Sequence, residues 1–311
     1  MVINYRTVII SNKQKLAVRI FIGFVLAAGA IAKLIAIDSF EIYLYSFGLL
    51  KLDYAFLLAR LVISLELFLG VLLMVGMHTN KAIPATIVLL SIFSVFILYL
   101  LFSRKNEQCH CFGDVEISNQ LSLLKNVFLI LFLFISRKVA DNQFKYGRVS
   151  FVIVSLSCLV IPLIASPPDS FFYNTYSKDL TYKEIVLNAY LKENAQYDKG
   201  KNIVCFFSSG CGFCKLAAKK VSVMAKKANA SNMVQYVFAG AEVSVTDFFR
   251  ETNSTIFQYT FIPAKRFLNL TNGEMPLIIL VEDGHIKGKY GYRDLNEAEM
   301  IEFMKELKKQ K

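Results

Sequence analysis

The sequence lacks tryptophan and any recognisable internal repeat, and no motif for binding a flavin, a haem or a nucleotide is visible in it. Its composition is not that of a collagen-like chain. With 311 residues it is too long for a small disulfide scaffold, and it is too apolar for an intrinsically disordered tail. A globular or membrane-embedded fold is left.

The composition indicates two parts with different solvents. Hydrophobic residues make up 55% of the chain and its mean hydropathy is +0.46, which argues against a purely soluble enzyme. Charged residues make up 19%, too many for a chain built only of membrane spans. We therefore expect a membrane part joined to a water-exposed part.

The net charge of +11 is distributed in a way that does not indicate nucleic-acid binding. Residues 1–166 hold 15 Lys+Arg and 8 Asp+Glu, while residues 167–311 hold 20 and 16. The excess in the first half is confined to short segments beside apolar runs, which is typical of membrane topology. No nucleic-acid partner is expected.

Apolar runs predict membrane spans, since crossing a bilayer takes about 20 residues. The five predicted spans lie at roughly 16–36, 54–76, 82–102, 120–136 and 149–166. The first run contains Lys33 and is not followed by a small-residue cleavage site. We interpret it as a retained span and not as a secretory signal.

Basic residues mark the cytoplasmic side of a membrane protein. They are concentrated before the first span and after the fourth. The residues concerned are Arg6, Lys13, Lys15 and Arg19, then Arg137, Lys138, Lys145 and Arg148. An odd number of spans then places residues 167–311 outside. We predict a bacterial inner-membrane protein, held in the lipid bilayer, with a cytoplasmic N-terminus and an extracytoplasmic C-terminal domain, where disulfides can persist.

Strand-like and helix-like stretches alternate after Pro167-Pro168. Strands are predicted at 202–208, 234–239 and 277–281, a hairpin across Asp283-Gly284, and helices at 212–228, 243–252, 263–269 and 295–309, the last capped by Asp294. This alternation predicts an α/β sheet flanked by helices. The predicted parts are a four-span region (1–137), a cytoplasmic loop with the fifth span (138–166), a linker (167–200) and the α/β domain (201–311).

Cys211 and Cys214 stand between the first strand and the first helix of this domain, in the sequence Cys-Gly-Phe-Cys. A helix N-terminus stabilises a thiolate through its unpaired N–H groups and its dipole. Cys211 would be exposed there, and Cys214 would resolve a mixed disulfide. The alternative is half of a zinc site, for which this domain offers only Cys205 and His285 as further ligands. Redox chemistry is favoured.

This motif, followed later by Met275-Pro276 before the apolar strand LIILV, resembles the thioredoxin-fold family over residues 201–311. The resemblance implies a cis peptide bond before Pro276, which would face the cysteines and bind substrate backbone. Met275, Gly212 and Phe213 are then the other candidate substrate-binding residues.

Two positions depart from that family's pattern. Gly210 stands where the family often has Trp, and Cys205 stands where thioredoxins place a buried, proton-accepting Asp. Cys205 is expected to be a small buried apolar side chain and not a third redox thiol. Without the acid, activation of Cys211 is left to the helix terminus, which does not favour a thioredoxin-like reducing role.

A second cysteine pair, Cys109 and Cys111, lies in the predicted outer loop between the third and fourth spans. A disulfide between cysteines one residue apart is strained and exchanges readily. The alternatives are two inert thiols, or a metal site formed with His110 that would still lack a fourth ligand.

The loop and its neighbouring spans resemble the MauE/DoxX-like family of redox-associated membrane proteins over roughly residues 16–137. The resemblance rests on CHCFGD with Leu121-Ser122 and Lys125-Asn126, on GFVLAAGAIAKL in the first span, and on Glu66 with LFLGVLLMVG in the second. It implies a four-helix core and a part in forming or handling disulfides of exported proteins. A quinone in that core is expected only by analogy with other membrane disulfide catalysts.

Charged residues within the spans are candidates for function, because ionisable groups in a membrane are costly. Lys33, Arg60 and Lys125 lie near the outer ends of their spans, where snorkelling to the interface is the alternative. Glu66 lies deeper, roughly 18 Å into its span at 1.5 Å per residue, and should pair with a basic group or face a polar cavity. The hypothesis is that the basic residues lie under the Cys109–Cys111 loop and lower the pKa of its thiols.

These motifs predict an all-α transmembrane bundle (a four-helix core plus a fifth span) followed by an α/β thioredoxin-like domain. The predicted function is that of a membrane-bound thiol–disulfide oxidoreductase acting on exported proteins, with Cys211 and Cys214 exchanging disulfides and Cys109 and Cys111 resetting them. No metal site is assigned. Copper handling or assembly through the Cys-His-Cys motif, and a non-catalytic docking role, stay open as alternatives. The direction of electron flow is not readable from Gly212-Phe213.

Overall fold

The computed structural model describes residues 12–102, 109–112, 115–136, 147–169, 184–240 and 245–305, with the backbone course alone for 109–112 and 115–117. The charges Arg6, Arg137, Lys138 and Lys145, used above for orientation, lie outside the described residues. The chain forms two compact units. One comprises Met1–Phe40 and Leu58–Pro167, and the other comprises Glu41–Leu57 and Pro168–Lys311.

Helices dominate the part of the chain up to residue 169. They are α1 (Asn12–Ile35), α2 (Ile37–Ser46), α3 (Leu52–Val75), α4 (Thr79–Phe102), α5 (Asn119–Ser136) and α6 (Gly147–Ala165). Within the described residues, all of these except α2 are long and apolar enough to cross a membrane. The five predicted spans are therefore confirmed as helices, the form in which a single apolar segment satisfies its own backbone in lipid.

Small residues let α1 and α3 approach closely. A Cβ atom added to Gly23 would lie 2.6 Å from the carbonyl oxygen of Gly70, so the two backbones meet where neither residue has a side chain. The helix α5 packs against both α1 and α4. Between α4 and α5 the chain forms an antiparallel pair of short strands, β1 (Cys109–Phe112) and β2 (Val115–Ile117), and the backbone of β1 lies against α1 and α5.

A mixed five-stranded sheet forms the centre of the second unit, which confirms the predicted α/β fold. Its strands are β3 (Lys201–Phe207), β4 (Val234–Ala239), β5 (Gln258–Ile262), β6 (Leu277–Glu282) and β7 (His285–Tyr290), in the order β5-β4-β3-β6-β7. The first three strands of that order are parallel, and β6 and β7 are antiparallel to their neighbours. The central strand β3 is buried along its whole length, and from Ile203 onward its residues are apolar on both faces.

Helices cover both faces of this sheet. They are α7 (Glu184–Glu193), α8 (Gly212–Ala228), α9 (Val245–Thr252), α10 (Ala264–Thr271) and α11 (Glu297–Lys305). One core joins α8, α9 and α11 to the sheet, and a second core lies on the other face with α7 and α10. The chain therefore buries apolar side chains on both sides of β3.

Three details of the sequence-based prediction differ from the structure. Residues 184–200 are not a linker, because Leu187 and Tyr197 are fully buried in the second core. The strand β5 was not predicted; it is an edge strand whose first three residues are exposed, so it carries no continuous apolar run. Asp294 does not cap α11: it accepts the Gly291 amide, while the Asn296 side chain accepts the Ala298 amide.

Residues 41–57, predicted as an outer loop with the start of a span, belong to the core of the second unit. Their buried side chains in that core are Ile42, Tyr45, Leu52, Ala55 and Phe56. Polar contacts add to this packing. The Lys227 ammonium donates to the carbonyl oxygen of Leu50 at 2.6 Å and to Glu297 at 2.7 Å, and Glu297 accepts the Leu52 amide at 2.5 Å. The second unit is therefore built from two distant chain segments.

Candidate dithiol active site

The two cysteines of the Cys-Gly-Phe-Cys motif lie where the central strand passes into a helix. The strand β3 ends at Phe207, Cys211 is the N-cap residue of α8, and Cys214 lies in the first turn. Cys211 has an extended backbone, and its sulfur accepts the Cys214 amide N–H at 3.2 Å. The predicted placement of Cys211 at a helix N-terminus is thus confirmed.

This environment lowers the pKa of the Cys211 thiol to about 6. The largest cause of the lowered pKa is the hydrogen bond from the Cys214 thiol, followed by the backbone amides of Cys214 and Phe213. The ammonium group of Lys215 contributes less. Cys211 is consequently a thiolate at neutral pH, the form that attacks disulfides.

The partner thiol has the opposite character. Cys214 is fully buried, and this burial, together with its hydrogen bond to Cys211, raises the pKa of Cys214. The pair therefore consists of a half-buried nucleophile and a protected thiol behind it. Such an arrangement suits attack by the first sulfur and resolution by the second.

Cys205 lies in the centre of β3 and is also fully buried. Burial raises the pKa of its thiol well above the ordinary value. Cys205 is thus protonated and inaccessible. This agrees with the prediction that it acts as a small buried apolar side chain at the position where thioredoxins have an Asp.

A cleft of about 350 Å³ lies beside the dithiol motif. Its lining includes three of the predicted substrate-binding residues, Phe213, Met275 and Pro276, and the peptide bond between Met275 and Pro276 is cis, as predicted. Gly212 is exposed at the start of α8 but is not among the lining residues. The cleft thus lies next to the residue between the two cysteines, Phe213.

The rest of the cleft was not predicted from the sequence. Glu274 and the segment Gly291–Asp294 line it, and the ring of Tyr292 lies 5.1 Å from the ring of Phe213. Asp294 is buried there, and burial raises the pKa of its carboxyl group. No local motif marks this segment, because its place follows from the way β7 ends beside α8.

The membrane unit contains a buried ion pair. The ammonium group of Lys33 donates to the carboxylate of Glu66 at 2.6 Å, and both side chains are almost completely buried. Glu66 thus has the basic partner that was expected, and snorkelling is wrong as an explanation of Lys33. Lys125 is close enough to both groups to interact electrostatically with them.

Arg60 is also buried but is attached elsewhere. It donates to the carbonyl oxygens of Ser166 and Pro167, at 3.1 and 3.4 Å, just after the end of α6. The structure therefore brings Lys33, Glu66 and Lys125 together, and ties Arg60 to the end of the fifth span.

The side chains of Cys109 and Cys111 lie outside what the structure describes. Their backbone forms β1, which lies against α1 and α5, the helices that carry Lys33 and Lys125. Among the side chains that are described, no group of three or more His, Cys, Asp or Glu is placed to hold a metal ion.

The comparisons with known proteins concern both units. Protein TlpB of Flavobacterium psychrophilum is 25% identical over 344 aligned positions, which cover 92% of this chain and 93% of that protein. A solved structure described as that of a DsbF homologue from Corynebacterium diphtheriae is 13% identical and covers 35% of this chain and 73% of its own, with a TM-score of 0.29, too low to equate the folds. Residues 11–137 match the sequence model of the family described as Methylamine utilisation protein MauE, which confirms the resemblance predicted for the membrane region.

Proposed function

We propose that the protein is a membrane-bound thiol–disulfide oxidoreductase that exchanges disulfides with exported proteins. The observation that carries the proposal is the pairing of a half-buried Cys211, whose pKa is lowered to about 6, with a buried Cys214 beside an open cleft. The similarity to Protein TlpB across both units and the MauE match in the membrane region support it.

The exchange has two balanced steps in either direction. To reduce a substrate, the Cys211 thiolate attacks one sulfur of a substrate disulfide and releases the other as a thiolate. Cys214 then attacks the mixed disulfide, freeing the second substrate thiol and leaving a Cys211–Cys214 disulfide. To oxidise a substrate, the same bonds form and break in reverse order, with a substrate thiolate attacking Cys211.

We further propose that the dithiol domain is extracytoplasmic. Residues 41–57 and 168–311 share one core, and segments on opposite sides of a membrane could not do so. This packing supports the predicted membrane topology, in which the first outer loop and the C-terminal domain lie on the same side of the membrane. Disulfide exchange with exported proteins takes place on that side.

The proposed partner of the dithiol domain is the Cys109–Cys111 pair, which would reset it by disulfide exchange. Lys33 and Lys125 are carried by the two helices that the backbone of β1 touches, and their charges would favour thiolates in that loop. A quinone bound there would supply a two-electron acceptor, with the Lys33 and Lys125 ammonium groups as its hydrogen-bond donors.

Trapping tests the proposal. In cells, full-length protein carrying Cys214→Ala should accumulate mixed disulfides through Cys211, because nothing resolves them. The matched control, Cys211→Ser with Cys214→Ala, should accumulate none at this site. If the first variant forms no mixed disulfide with any exported protein, the proposed function is wrong. If it traps exported proteins but never Cys109 or Cys111, the relay between the two pairs is wrong while the exchange itself stands.

A further inference from the structure

A buried lysine lies on the helix that carries the active-site cysteines. Lys220 follows Cys214 by less than two turns of α8 and is completely buried. Its ammonium group donates to the carbonyl oxygen of Tyr292 at 3.0 Å and lies 3.9 Å from the centre of the Tyr292 ring. Both the backbone and the ring of Tyr292 are thus held by one side chain.

The ammonium group of Lys220 forms an ion pair with a buried carboxylate. Asp169, which is 1% exposed, lies 3.6 Å from the Lys220 ammonium through one oxygen. Its other oxygen accepts a hydrogen bond from the Arg293 guanidinium at 2.8 Å. Asp169 therefore binds two cations that approach from different elements, one from α8 and one from the segment after β7.

These contacts converge on one wall of the cleft. Tyr292 and Arg293 line it, and the Tyr292 ring lies against Phe213, the residue between the two cysteines. Pro276 and Met275 form another part of the lining. The separation of these walls thus depends on how the segment 291–294 is held, and Lys220 and Asp169 hold it from inside.

A buried ion pair is a poor device for stability alone, because apolar residues of similar volume stabilise a core as well or better. Lys220 makes directed contacts that no apolar side chain could make: a hydrogen bond to a carbonyl oxygen, an ion pair and a cation–π contact with the same residue's ring. Such contacts fix a segment in one position, which is what a binding cleft requires.

We propose that Lys220, together with Asp169, is a positioning residue for substrate: it fixes the segment 291–294 as the cleft wall against which a peptide substrate is bound across Cys211. The proposal rests on the proposed function and adds to it a determinant of peptide binding. A disulfide too small to contact the cleft wall reacts with Cys211 without binding there. The rate of its reaction should therefore not depend on Lys220.

The test compares two disulfides in single-turnover reactions of reduced, full-length protein. One is a peptide of about ten residues containing a disulfide, long enough to span the cleft at 3.3 Å per residue, and the other is 5,5′-dithiobis(2-nitrobenzoate). Lys220→Met should raise the half-saturating peptide concentration about fivefold or more, as the loss of an important interface contact does. The rate with the small disulfide and the limiting rate with the peptide should change less than about twofold, within the scatter of neutral substitutions.

Control variants separate positioning from general damage. Lys226→Met, an exposed position on the same helix, should leave both reactions unchanged. In a Tyr292→Ala background, Lys220→Met should add little further loss of peptide binding, because the wall it holds is already gone. Should Lys220→Met fail to fold, Asp169→Asn keeps the volume, weakens the same hold and should show the same selective loss.

The outcomes are distinguishable. A folded Lys220→Met or Asp169→Asn variant with unchanged half-saturation by the peptide would overturn the positioning role, and so would a parallel fall in the peptide and small-disulfide reactions. If the unmodified protein reacts with the small disulfide but with no peptide disulfide, the proposed function itself is refuted, and the positioning role with it.

Discussion

At the residue scale, the proposed disulfide exchange depends on the difference between Cys211 and Cys214. The two sulfur atoms lie in the same helical turn, but one is half-buried at the helix N-terminus and the other is enclosed by the core. The first therefore has a lowered pKa and the second a raised pKa. The order of the two cysteines in the motif predicts these roles, and their difference in exposure agrees with that prediction.

The pKa of Cys211 makes a direct prediction. Alkylation of Cys211 by iodoacetamide in the reduced protein, followed by mass spectrometry of that cysteine, should rise with pH and reach half its maximum near pH 6. Cys205 should stay unlabelled across the same range, because it is buried and its pKa is raised. A half-maximum near 9.0, the ordinary thiol value, would show that neither the Cys214 thiol nor the helix terminus activates Cys211.

The same lowered pKa links stability to pH. A thiol whose pKa is lower in the folded than in the unfolded state stabilises the folded, reduced protein fully above the unfolded pKa, and this stabilisation is lost as the pH falls through the folded pKa. For Cys211 the window runs from about 9.0 down to about 6. A disulfide form has no such thiolate, so the reduced form gains relative to it at neutral pH.

Residues that contact each other only in three dimensions mark the limit of prediction at this scale. Cys211, Cys214 and Pro276 could be found because short motifs define them. Cys205 could be found because it stands where thioredoxins have a buried Asp. Tyr292, Arg293 and Lys220 carry no motif, and their meeting depends on where β7 ends relative to α8. Packing and not spacing creates this part of the cleft.

At the scale of elements, the length of an apolar run predicts the membrane helices well. Elements that are exposed on one side are not predicted. The candidate spans were recognised because each needs a long apolar run to satisfy its backbone in lipid. The strand β5 and the helix α7 bury one side only, so their sequences resemble loops. The sequence predicted that Glu66 would pair with a basic group or face a polar cavity, and it did not predict that the partner, Lys33, would come from α1.

The Lys33–Glu66 pair joins α1 to α3, and its replacement should be strongly non-additive. Lys33→Met alone leaves the Glu66 carboxylate buried beside an apolar side chain, which should cost about 3–5 kcal/mol. Lys33→Met with Glu66→Met removes both charges and should recover most of that loss. The measurement is thermal or denaturant unfolding of the full-length protein in one detergent.

Lys81→Met, at an exposed position in the first turn of α4, is the control and should change stability by less than about 0.5 kcal/mol. Additive losses in the double variant would mean that the two side chains do not act as a pair.

At the scale of the whole molecule, the second unit is the less expected result. Its core takes five buried side chains from residues 41–57, and Glu297 joins that segment to α11 through the Leu52 amide and Lys227. Composition indicates a soluble domain after residue 167, and nothing in it shows that an earlier segment completes the core.

A fragment of residues 168–311 should therefore be less stable than the same domain completed by residues 41–57. Without residues 41–57 it exposes the core surface that Tyr45, Leu52 and Phe56 cover, and burying such a side chain stabilises by roughly 1.5–3 kcal/mol. Fusing residues 41–57 to the fragment through a Gly/Ser linker should raise its unfolding temperature and reduce aggregation. The matched control fuses the same segment with Leu52→Ser and Phe56→Ser. It should raise the unfolding temperature less. Equal unfolding temperatures for all three proteins would show that the segment adds nothing to the core.

The two-segment core also sets the order in which the molecule can be completed. The Leu52 amide and the Glu297 side chain are 245 residues apart in sequence, so their contact closes one of the longest loops of the chain. Contacts of such sequence separation form late, because the entropy of closing the loop is lost before the contact is gained. During synthesis, the early segment must already be presented by its flanking helices when the last strands emerge. A chain whose helices insert wrongly would then carry the Cys211 domain without the segment that completes its core, and so in a less stable form.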